Sequence, residues 1–195
     1  MIPPMKPIME TWLRIRRSTR DLFGDIRGIA ATEFAIVVPV MLLLFFGTDE
    51  FASGISVDRK VTLMARTLSD LTSQNTKVTD AQLTNFFNAS AAIMTPYSSS
   101  PVRSTITQLY VDPATLAARV QWSKGSTPRT AGTSVTIPTA LQVGGTYLIY
   151  SEVSYTFVPT VGYVLKNSIT LSDFTFTRPR QSTCVMYSTT VCTTT

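Results

Sequence analysis

The chain has 195 residues, 44% of them hydrophobic, a net charge of +5 at pH 7 and no histidine. Without histidine, Ser-His and Cys-His nucleophile pairs and histidine-based zinc hydrolysis are excluded, and two cysteines are too few soft ligands for a closed zinc site. Nucleic-acid binding needs a basic face in a folded domain; here six of the seventeen positive charges (Lys6, Arg14, Arg16, Arg17, Arg20, Arg27) sit in residues 1–28 against Glu10, Asp21 and Asp25, which leaves +2 of the net +5 elsewhere.

Behind this basic leader, residues 29–47 form an apolar run whose one charge is Glu33. A spanning helix needs about 20 mostly apolar residues to cross a hydrocarbon core of about 30 Å, so the run is a membrane-helix candidate. Positive residues near a span stay in the cytoplasm, which predicts a single pass with the N-terminus inside and the C-terminal body outside. A secretory signal peptide is disfavoured, because its apolar part is shorter and no Ala-x-Ala pattern follows Phe46. Two readings of Glu33 stand side by side. A carboxylate inside a membrane helix is a functional hypothesis by default, and one barely a turn inside can reach interfacial water. Pro39 has two readings as well, a kink or a tolerated membrane proline.

The helical pattern continues through Phe51, Ile55, Val61, Met64 or Ala65, Leu68 and Leu71. A helix from Ile29 to about Gln74 would be about 68 Å long. Gly47 and Gly54 each cost on the order of 1 kcal/mol against alanine and are candidate bend points. After a polar connector at residues 73–77, Thr79-Asp80-Ala81-Gln82 has the form of a capping box opening a second helix, with Leu83, Phe86, Phe87, Ile93 and Met94 as its core face and Pro96 as its stop.

From Val102 the period changes to that of strands. Residues 102–112 and 117–123 are joined across an Asp112-Pro113 turn, 135–141 is a weaker strand placed at an edge by Pro138, and 147–158 is the clearest strand, with Tyr147, Ile149, Val153, Tyr155 and Phe157 on one parity. Residues 168–178 answer it across a loop containing Gly162, and the switch of apolar parity from Ile169 and Leu171 to Phe174 and Phe176 predicts a bulge near Ser172-Asp173. Glu152, Asp112 and Asp173 are the sheet's carboxylates; Glu152 reads as a solvated or salt-bridged position, and with no Gly-rich phosphate loop or Cys-x-x-Cys, neither enzyme activity nor a cofactor or metal site is expected. Cys184 and Cys192 lie in a polar tail; on the predicted topology they face an oxidising compartment where a disulfide closing a short loop is reasonable, with two free thiols as the alternative.

Gly28, a small or apolar residue after it, Glu33 at the fifth position beyond the glycine and Phe34, opening an apolar helix behind a basic leader, resemble the processing site of type IV prepilins. The fuller string from Arg27 to Gly47, with Pro39 and the following Glu50-Phe51, resembles the TadE/TadG-like family, minor pilin-like proteins of the Tad or Flp type IVb pilus assembly system. Residues 151–159 and Arg178-Pro179-Arg180 also look like the C-terminal half of shorter TadE-like proteins. The resemblance implies a prepilin peptidase as partner, cutting after Gly28 so that Ile29 becomes the new N-terminus, and a subunit contact in which Glu33 pairs with the N-terminal amine of a neighbouring pilin-like subunit. The implied fold is α+β and pilin-like, a lollipop in which a long N-terminal membrane-spanning helix continues into an exported domain with a second helix and a small antiparallel β-sheet. The expected divisions are a cytoplasmic leader (1–28), a transmembrane segment (29–47), a helix continuation and connector (48–76), an α+β exported domain (77–180) and a Ser/Thr-rich tail with the Cys pair (181–195). The function implied is pilus biogenesis. A signal-anchored periplasmic binding or enzymatic domain and a pilus-tip adhesin are the other readings.

Overall fold

The computed structural model describes residues 27–159 and 167–192. The basic leader up to residue 26 and the loop containing Gly162 lie outside the described residues. The chain divides into two compact units, residues 1–48 and 49–195, and one helix, α1 (Arg27–Ser73), contributes residues to both.

In the first unit α1 closes its own backbone hydrogen bonds, the condition for placing a peptide chain in an apolar medium. Pro39 sits inside the helix and removes the bond to the Ala35 carbonyl without ending it. The hydroxyls of Thr32 and Thr48 donate to the carbonyls of Ile29 and Leu44 at 2.8 and 2.7 Å, so both ends of the apolar run satisfy their own polar side chains.

The second unit has an α+β core. Its five-stranded antiparallel sheet is built from β2 (Val102–Val111), β3 (Ala118–Gly125), β4 (Ser134–Val135), β5 (Tyr147–Phe157) and β6 (Ile169–Thr177), in the order β4-β3-β2-β5-β6. Val57, Val61, Met64 and Ala65 of α1 recur at helical spacing and are buried with Val153, Tyr155 and Phe157 of β5. One turn further on, Leu68 packs with Ile106, Trp122 and Ile149. The helix α2 (Asp80–Ala91) closes the same side; its capping box is present, with the Thr79 side chain accepting from the Gln82 N–H and the Gln82 side chain accepting from the Thr79 N–H. Leu83 is buried, and Phe86 and Phe87 are half-buried against the Leu68–Trp122 cluster. Lys60 ties α1 to the end of this segment by donating from Nζ to the carbonyls of Ile93 and Thr95 at 2.9 and 2.8 Å.

The opposite face of the sheet carries a second layer: Leu109, Val111, Val120, Leu148 and Tyr150 are covered by Ile137 from the connection after β4. Having apolar clusters on both faces explains where the strand readings fail. No bulge occurs at Ser172-Asp173, because β5 and β6 pair without a register shift from Ile149↔Thr177 to Phe157↔Ile169. Leu171 packs on the α1 side and Phe176 on the other, so the change of parity marks a change of partner layer and not a kink. The shift lies instead between β2 and β3, where Gln108 pairs with Trp122 but Leu109 with Val120. One extra residue on β3 flips its parity, so Val120 serves the outer layer while Trp122 serves the helix side. The strand expected over 135–141 is reduced to the edge pair Ser134–Val135, and Thr139–Leu141 forms a 3-10 turn after Pro138.

The cysteine-bearing segment is docked on the body of the second unit. Residue 77 belongs to β1 (Lys77–Val78), which pairs in parallel with β7 (Met186–Tyr187). Immediately before β7, Val185 is fully buried: its N–H donates to Gln108 Oε1 at 2.7 Å and its carbonyl accepts from Trp122 Nε1 at 2.8 Å. The disulfide Cys184–Cys192, with Cα atoms 6.1 Å apart, closes the loop behind this insertion. Gly125, at φ 135°, ends β3 where a Cβ would lie 2.2 Å from the Ser104 carbonyl oxygen, so no other residue fits that approach.

Candidate functional site

The glycine–glutamate element occupies the first turns of α1. Gly28 is exposed, with nothing within 4 Å of the place a Cβ would take, and Ile29, Glu33 and Phe34 are exposed as well. Ile29 and Glu33 are four residues apart on a helix and therefore share a face, one turn above each other. Phe34 begins the next position round, and beyond it the large side chains Ile36, Val37, Met41, Leu42, Leu44 and Phe45 are all at least half exposed. Among the described residues α1 is the one helix long and apolar enough to cross a membrane. An exposed apolar surface on this scale is not one that water tolerates without a covering partner.

The second predicted site, Cys184 and Cys192, is joined as a disulfide. Sequence reasoning missed what the bridge secures. Gln108 reads as an ordinary polar strand residue, and Trp122 as one aromatic among several. Their partnership with Val185 spans 77 and 63 positions and leaves no local signal. Tyr187 extends the contact: its hydroxyl donates to Asp80 at 2.6 Å and its ring lies 5.6 Å from that of Trp122. The Tyr187 hydroxyl, helped by Lys124, holds the Asp80 carboxyl below its usual range. The same Tyr187 contact, with Asp80, raises the ammonium of Lys124.

Glu152 is salt-bridged on the outer face of the sheet. Arg129 donates to it from Nε at 3.0 Å and from an Nη at 2.6 Å, and the Tyr150 hydroxyl donates at 2.9 Å. Burial first, then the neighbouring Glu152 carboxylate, pushes the Tyr150 phenol up to about 12. Asp112 accepts from the backbone N–H groups of Ala114 and Thr115, which lowers its carboxyl and fixes the turn between β2 and β3. Both carboxylates are thus engaged in structural contacts. Among the described residues no group of three or more Cys, Asp or Glu side chains is placed to hold a metal ion.

No curated protein and no solved structure matches the chain. Residues 28–68, the stretch from Gly28 through the apolar run and into the buried half of α1, match the family described as TadE-like protein.

Proposed function

We propose that this protein is a minor pilin-like component in the biogenesis of a Tad/Flp-type pilus, anchored in the bacterial inner membrane by residues 29–47 and cut after Gly28 by a prepilin peptidase. The observation that carries the reading is the TadE-like match over residues 28–68, which begins at Gly28 and contains the whole exposed apolar face of α1. The leader stays in the cytoplasm and the second unit lies on the other side, where its disulfide is favoured. Its partners are the lipid bilayer and other pilin-like subunits, and its role is assembly, not catalysis.

Cleavage would turn the Ile29 amide into an ammonium one helical turn from Glu33. At low dielectric an unpaired carboxylate is costly, whereas an opposite charge a few Å away offsets the desolvation. Glu33 then recruits the new N-terminus of a neighbouring subunit and sets its register. The deciding measurement is the mature N-terminus in cells with and without the peptidase. Ile29 is expected in the first and Met1 in the second, and Met1 in both would overturn processing. Normal processing and complex formation by a Glu33→Ala protein would remove the role given to Glu33.

A further inference from the structure

The structure assigns a lipid-contacting surface to the end of the second unit at which α1 enters it. Four large apolar side chains are exposed there: Phe51 (67%) and Ile55 (42%) on α1, Val158 (67%) just after β5, and Ile169 (39%) at the start of β6. Phe51, Ile55, Phe157 and Ile169 line one hollow of about 240 Å³. Packing within the unit shows that these residues share an end. Val57 is in one cluster with Phe157, whereas Leu68 is in another with Ile149, so the earlier residues of α1 lie at the Phe157 end of the sheet.

The occupant follows from the chain itself. Phe51 stands four residues beyond Gly47, the end of the apolar run, on the same helix. A surface joined so closely to a membrane span meets the headgroup boundary. Its polar groups suit that boundary better than the hydrocarbon centre: Asp58, lining the same hollow, is exposed, while Glu50 is turned inward and buried. A cluster of exposed apolar side chains rimmed by charge is the usual mark of a membrane or partner contact. Leu116 and Val143 are also exposed, but lie past the Tyr110↔Tyr147 pair, at the end of the sheet away from Phe157. They serve as an internal control.

This inference rests on the membrane anchor proposed above, and the test separates the two. The only two cysteines are tied in the disulfide, so one added thiol can carry a nitroxide in the full chain reconstituted in phosphatidylcholine/phosphatidylglycerol nanodiscs. Leu42→Cys, Val158→Cys and Val143→Cys are compared by their relaxation with oxygen, which partitions into lipid, and with a water-soluble nickel chelate. The oxygen-to-nickel ratio is expected to be several-fold higher at positions 42 and 158 than at 143. A ratio at 158 equal to that at 143, with 42 still lipid-exposed, would overturn this surface and leave the anchor standing. Nickel access at 42 would overturn the anchor and this surface with it. Protection of 158 from both reagents, with spin–spin broadening that grows with copies per disc, would assign the surface to a second copy and overturn the lipid reading.

Discussion

Two stretches of one helix treat the same residue types in opposite ways. From Phe34 to Phe45, α1 turns leucine, isoleucine, valine and phenylalanine outward, and from Val57 to Leu68 it buries Val57, Val61, Met64 and Leu68 completely. The later stretch sets the exposed charges Asp58, Arg59 and Arg66 between its apolar residues whereas the earlier one carries none, and the two also differ in the surface that the chain offers them. The later stretch packs on a face of the sheet, and among the described residues of its own unit the earlier one has no such surface. In the proposed anchor lipid takes its place.

The contrast can be broken at either end. Leu68→Ala opens a cavity among Ile106, Trp122 and Ile149, and the second unit is expected to lose about 2–5 kcal/mol of stability, read by chemical unfolding, with membrane fractionation unchanged. Leu42→Arg should do the reverse. It costs on the order of 2.5–3.5 kcal/mol of insertion at the bilayer centre and leaves the unfolding of the second unit as it was, and unchanged membrane recovery would count against the anchor. Cys192→Ser is expected to destabilise the second unit by about 2.5 kcal/mol through the closed loop it opens, with β7 released first; hydrogen exchange at the amides of Val185 and Met186 reads that order.

The smallest effect concerns Tyr150, which is buried. Its phenol titrates higher when folded, at about 12, than unfolded, at 10.0. The folded state therefore favours the neutral form; this contribution is complete below pH 10 and is lost as pH rises towards 12, with an upper bound of about 2.7 kcal/mol. Tyr150→Phe should flatten that alkaline fall in stability, and an unaltered pH profile would show that the fall has another source.

Much of this was legible in the sequence because it is written in short-range periodicity. The apolar run after Arg27, the capping box at Thr79 and the strands at 102 and 147 each need only a few neighbouring residues to declare themselves. The glycine–glutamate element is legible for the same reason: Gly28, Glu33 and Phe34 fall within seven positions. The parity of β6 was misread, because alternation reports burial on one face and this sheet is covered on both. The disulfide of the tail was legible from its two cysteines, but the docking of Val185 was not, because a buried valine among serines and threonines makes no pattern.

By itself, then, the sequence determined that a long helix begins near Gly28, that its first half is too apolar to be left to water, and that an α+β body follows. Only the tertiary structure decided which face of α1 is buried, where the β-bulge falls, and that Val185 is held between Gln108 and Trp122. The places of helices and strands show in local periodicity, even though the strands themselves pair across distant parts of the chain, as Val102 does with Tyr155. The bulge and the docked tail depend on surfaces brought together from distant parts of the chain, and those exist only once the sheet has formed.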